Sequence, residues 1–235
     1  MSWIKCSKKR EGNLMLDEIS KKISDKIANN TNADKNQSDV IHYGVMAIIH
    51  ITVFIALISV LGIIFNTFMP ILTICLSAAF FRQNSGGAHA ESSLLCTSIG
   101  CVVCLLLSLF CKTLVGWNIP LYAYIIFAAV SVFLAVLATV FLVPVDTPNK
   151  PIKSEKKKKR MKRNSYIILF IYLGLLVVAL FLGRSNVEWF LFLVCMCFGI
   201  LWQTFMLTKI GGRFLSLIQA PFLKISSAIK RKPRN

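Results

Sequence analysis

Residues 156–183 read KKKKRMKRNSYIILFIYLGLLVVALFLG: seven basic residues among the first eight, then eighteen residues from Tyr166 without a charge. An apolar run of that length is close to the roughly 20 residues a helix needs to cross a bilayer. A basic block at its end is the flank that stays on the inner side of a membrane. The two together predict a membrane helix with a cytoplasmic basic end.

The rest of the chain repeats that arrangement. Of 235 residues, 56% are hydrophobic and only 16% charged, against about a quarter charged in ordinary soluble domains. The 27 Lys and Arg are segregated. Eight precede residue 40, nine lie between Lys150 and Arg163, and seven follow from Lys209, leaving Arg82, Lys112 and Arg184. A net charge of +17 suggests nucleic acid at first sight. Phosphate binding, however, needs a folded basic face or interleaved aromatics, whereas these blocks flank apolar runs. No nucleic-acid partner is expected; anionic membrane lipid is.

Six apolar runs follow the polar first forty residues: about 44–65, 68–81, 93–111, 121–143, 166–183 and 188–208. The second is short, at about 21 Å of helix. The charges decide whether it crosses. With six crossings and an inner N-terminus, residues 1–40, 82–92, 144–165 and 209–235 share one side, which gathers all three basic blocks there. Removing the second crossing would place Lys150–Arg163 outside.

The expected fold is therefore all-α, with six transmembrane helices. Amphipathic interfacial helices are expected at both ends. Met15, Ile19, Ile23 and Ile27 form one stripe. Ile210, Phe214, Leu217, Ile218, Phe222, Ile225 and Ile229 form the other. The chain divides into an interfacial segment (1–40), a membrane domain (41–208) with a candidate catalytic loop (82–96) and a basic loop (144–165), and a basic amphipathic tail (209–235). The polar N-terminal stretch gives no expectation of a cleavable signal peptide.

Eight cysteines are present. Most fall in apolar segments, where cysteine packs as a small hydrophobe. Cys101 and Cys104 spell C-x-x-C, but mid-helix and without the strand-to-helix setting of a redox motif. Neither metal nor cofactor is expected.

Chemistry concentrates in Arg82-Gln-Asn-Ser-Gly86-Gly87-Ala-His89-Ala-Glu-Ser-Ser-Leu-Leu-Cys96. Ionisable groups beside membrane spans are costly and point to function. On one continuous helix, His89 and Cys96 would stand about 10 Å apart along the axis, too far to share a proton. The chain must bend, and Gly86 and Gly87 allow it. If the third span begins near Ser92 or Ser93, Cys96 lies just beyond its first turn. The positive helix end and a nearby imidazolium would then favour the thiolate of an activated nucleophile. Glu91, Asn84 and Ser92 are alternatives for orienting His89. His42 and His50 are rival bases, explained more simply by interfacial anchoring and packing. Arg82 fits a substrate carboxylate, an oxyanion site or an interfacial anchor.

The string R-x3-GG-x-H-x6-C, from Arg82 through Gly86, Gly87 and His89 to Cys96, resembles the signature of the accessory gene regulator B (AgrB) family. The later Pro144-Val-Asp-Thr-Pro-Asn-Lys-Pro151, with the basic run and Ser165, resembles that family's second recurring stretch. The resemblance covers roughly residues 40–210. It implies a cysteine endopeptidase of the bacterial cell membrane, acting in quorum sensing. Its substrate would be a short AgrD-like propeptide, whose C-terminal tail is cut off. The remaining peptide is held as a thioester and closes to a thiolactone or lactone. By position, Cys96 would be the nucleophile, His89 the base, and Arg82, Gly86 and Gly87 supporting positions. A homodimer is implied as well. A noncatalytic transporter or channel-like subunit would instead spread its polar residues over several spans, and a Cys96 acyltransferase would label with a fatty acyl donor.

Overall fold

The computed structural model describes residues 14–31, 34–87, 93–117, 119–145 and 154–230. Their regular structure is helical: α1 (Leu14–Asn30), α2 (Lys35–Ile64), α3 (Phe68–Ser85), α4 (Ser93–Val115), α5 (Leu121–Phe141), α6 (Glu155–Leu182), α7 (Glu188–Leu207) and α8 (Lys209–Lys230). Among the described residues there is no strand, only one isolated bridge between Gly86 and Val145. The chain is an all-α, polytopic membrane protein.

Among the described residues, five helices are long and apolar enough to cross a bilayer: Gln37–Ile64, Cys96–Val115, Leu121–Phe141, Glu155–Leu182 and Glu188–Leu207. They correspond to five of the six runs. The short second run gains a polar last turn, Arg82 to Ser85, and becomes the 18-residue α3, about 27 Å long. α3 is a central helix. It packs most extensively on α7 and also meets α2, α4 and α6.

Small residues let those two helices approach. A Cβ on Gly199 of α7 would collide with Ser77 Oγ of α3 and lie 2.7 Å from the Ile74 carbonyl. Close backbone approach is what holds helices together where lipid removes the hydrophobic drive between them. Tyr172 of α6 joins the same seam, its hydroxyl donating to the Ser77 carbonyl at 2.6 Å. α5 turns Ala128, Ser131, Ala135, Ala138 and Thr139 inward, and Tyr124 stacks on Phe190 of α7 with ring centroids 4.4 Å apart. The buried hydroxyls bond back along their own helices: Ser131 to the Phe127 carbonyl and Thr139 to the Ala135 carbonyl. A polar group buried without water needs such a partner.

One expectation changes in detail. The basic residues expected in a loop are helical from Glu155, so most of the block extends α6. Lys and Arg are good helix formers; the adjoining span supplies the nucleus that a short basic helix would lack. Glu155 adds an ion pair to Lys158 at 2.9 Å.

The amphipathic helices leave the apolar stripes named in the sequence on their outer sides. α1 folds back along α2, and the face it buries is Ser20, Ser24 and Ala28. Ile19, Ile23 and Ile27 stay 43%, 43% and 40% exposed. α8 behaves alike, burying Gly211, Leu215 and Gln219 while Ile210, Phe214 and Leu217 face outward. Met15, Phe222, Ile225 and Ile229 lie outside the described side chains. In both helices the narrower stripe beside the expected one is buried. In α1 the buried residues are small, which keeps its backbone close to α2.

Candidate functional site

The site grows from the end of α3. Gly86 caps that helix, its N–H donating to the Arg82 carbonyl at 2.9 Å. Gly86 and Gly87 have φ of 78° and 135°, values that side-chain-bearing residues avoid. The bend required between α3 and the next span is therefore present, at the two glycines expected to make it.

Three elements hold the bend. From beyond α5, the Val145 N–H donates to the Ser85 carbonyl at 3.2 Å, and the segment lies so close that a Cβ on Gly86 would sit 2.7 Å from the Val145 carbonyl. From α7, Gln203 Nε2 donates to the Gly86 carbonyl at 2.7 Å and to Ser85 Oγ at 3.2 Å. From α6, Asn164 Nδ2 donates to Asn84 Oδ1 at 3.3 Å. Ser85 is fully buried, and its hydroxyl also donates to the Phe81 carbonyl at 2.8 Å. The glycine pair and the start of the 144–151 stretch, 57 residues further on, are thus neighbours in space. Asn84, a candidate to orient the base, gives its side chain to Asn164 and to the Phe80 carbonyl.

Across the bend, α4 runs Ser93–Val115, so Cys96 stands at the end of its first described turn. Among the described cysteines Cys96 alone is not buried; Cys75, Cys101, Cys104, Cys111, Cys195 and Cys197 are. That contrast separates a thiol open to a reactant from thiols used in packing. Arg82 is half-buried on the last turn of α3. His89, Glu91 and Ser92 lie outside the described residues. Of the rival bases, His42 is engaged in packing, its Nδ1 sharing a 3.0 Å hydrogen bond with Ser24 of α1. Lys156, Lys157, Lys159, Arg160 and Arg163 line a cleft of about 480 Å³ along the basic end of α6.

Sequence reading missed Gln203. It is one amide in the apolar run 188–208, and no periodicity marks it. Its one signal was its polarity at membrane depth.

The accessory gene regulator B family model matches residues 20–207. A putative AgrB-like protein 2 of Clostridium perfringens (strain 13) is 36% identical over 210 residues, covering 88% of this chain and 97% of that protein. A putative AgrB-like protein of C. perfringens strain SM101 is 35% identical with the same coverage. The accessory gene regulator protein B of Staphylococcus lugdunensis is 31% identical over 116 residues, 49% of this chain and 57% of that protein. No solved structure matches the chain. With a family match across most of its length and its glycine bend poised before Cys96, the chain belongs to the accessory gene regulator B family.

Proposed function

We propose that this protein is a membrane cysteine endopeptidase of peptide quorum sensing, with Cys96 as nucleophile and His89 as general base. Cys96 Sγ, deprotonated by His89, attacks the carbonyl of the cleaved bond in an AgrD-like propeptide. The imidazolium returns its proton to the departing amine, so the C-terminal tail leaves as a free amine and the peptide stays as a thioester. An internal Cys or Ser of the peptide then attacks that thioester. Its proton passes to His89, the S–C bond to Cys96 breaks, and a thiolactone or lactone closes. Bonds and protons balance without a cofactor.

One observation carries this reading: a half-buried Cys96 at the start of α4, placed just after a bend built from Gly86 and Gly87. The positive end of the α4 dipole favours an anion there. Recession among membrane helices keeps water from the thioester, which must outlast hydrolysis if cyclisation is to win. The cationic cleft along α6 suits an acidic substrate tail. The protein acts in the bacterial cytoplasmic membrane, with both termini and the 82–96 segment on the cytoplasmic side, and as a homodimer.

The test is co-expression with the propeptide, followed by gel mobility and the mass of the released tail. Cys96→Ala and His89→Ala each abolish cleavage at wild-type membrane levels. Cleavage retained by Cys96→Ala ends the proposal.

A further inference from the structure

We propose that Gln203 is a positioning residue for this reaction: its side-chain amide fixes the Gly86–Gly87 bend and so sets the direction in which the chain leaves α3 toward Cys96. The inference rests on the Cys96–His89 reading above.

Gln203 is 1% exposed in an otherwise apolar stretch of α7. An amide in that setting is costly unless its hydrogen bonds are made. Both protons of its Nε2 have acceptors, and both acceptors belong to the bend: the Gly86 carbonyl at 2.7 Å and Ser85 Oγ at 3.2 Å. The Gly86 carbonyl lies past the last turn of α3, where no helical N–H follows to receive it. Gln203 supplies the shorter of its two donors, from another helix; the Ser85 hydroxyl lies at 3.4 Å.

Holding that carbonyl holds the whole Gly86–Gly87 peptide plane, because the peptide unit is rigid. Two glycines without such a bond would sample many directions. The contact is also close on the far side. A Cβ on Gly87 would approach Gln203 Nε2 to 3.2 Å and the Met206 carbonyl to 3.4 Å. His89 follows Gly87 by two residues in the sequence.

Pairing of α3 with α7 does not require this amide. The two helices are already in contact at Ser77 and Gly199, about 12 Å along α3 from Ser85. Val145 separately ties the Ser85 carbonyl. What Gln203 adds is directed at the bend alone.

The test uses the full-length protein in membranes and Gln203→Met, which keeps the length and removes the donors; Gln203→Leu is the second variant. Both replacements are more apolar, so insertion into the membrane is favoured. Three quantities are read: propeptide cleavage as kcat and KM separately, the rate at which iodoacetamide labels Cys96 at fixed pH (by mass of the Cys96 peptide), and the melting midpoint. Misplacing a reacting group by about an ångström costs up to roughly a hundredfold. The expected result is a fall in kcat of roughly tenfold to a hundredfold with KM unchanged. Cys96 labelling slows to the rate seen in His89→Ala. A lowered melting midpoint alone, with wild-type kcat and labelling, overturns the inference and leaves the dyad standing. Labelling unaffected by His89→Ala, together with cleavage in Cys96→Ala, overturns the dyad and the role of Gln203 with it.

Discussion

The seam between α3 and α7 and the rim helices α1 and α8, which pack on α2 and α7 respectively, differ in what they bury. At the seam, Gly199 abuts Ser77 and Gln203 bonds to Ser85 and Gly86, among fully buried Ile71, Ile74, Phe81 and Ile200. At the rim, Ser20, Ser24, Ala28 and Gly211 turn inward while isoleucines face out. In water the isoleucines would have been the buried set. An amphipathic helix at the lipid–water boundary leaves its isoleucine stripe to the bilayer, whereas the central seam buries isoleucines together with small and polar residues.

The contrast can be broken most sharply at Gly199. Gly199→Leu drives a large side chain into Ser77 and the Ile74 carbonyl and should cost about 3 kcal/mol or more, since overpacked cores cannot yield. Thermal unfolding in detergent, followed by loss of monodisperse protein, measures it. Gly86→Ala comes next. It places a Cβ 2.7 Å from the Val145 carbonyl at φ 78°, a loss of about 2 kcal/mol from strain. Cleavage activity should fall further than the melting midpoint suggests, because the bend itself is displaced.

Tyr172→Phe removes only the hydroxyl that donates to the Ser77 carbonyl. Interhelical hydrogen bonds in membranes average about 0.6 kcal/mol, so a shift of a few degrees or less is expected in the same unfolding assay. The smallest effect belongs to the rim. Ile23→Ser, on a half-exposed position, should change bundle stability by less than about 0.5 kcal/mol. A large loss at Ile23 would mean that the rim is packed like the seam.

Helix positions were readable because a bilayer demands long apolar runs, and those runs survive in α2 and α4–α7. The bend was readable too, since two adjacent glycines before a serine-led apolar run have few other uses. Two things were hidden. Gln203 has no pattern to announce it, because its partners are backbone and hydroxyl groups more than a hundred residues away. The helical state of Glu155–Arg163 was hidden by its charge, which reads as solvated chain although each residue favours helix. The nearness of Val145 to Gly86 is a tertiary fact that local pattern does not carry, although both segments stood out separately.

Because the basic block is a stem of α6 and not a slack tether, its cations have a fixed rotational phase relative to the membrane bundle. One residue inserted between Arg163 and Tyr166 would turn them by about 100° and lift them by about 1.5 Å, and a loop would have absorbed the change. Asn164, bonded to Asn84 at the last turn of α3, sits where that phase is set. Length in this segment is therefore a matter of angle, and a chain of unaltered charge but altered count would present a different electrostatic face.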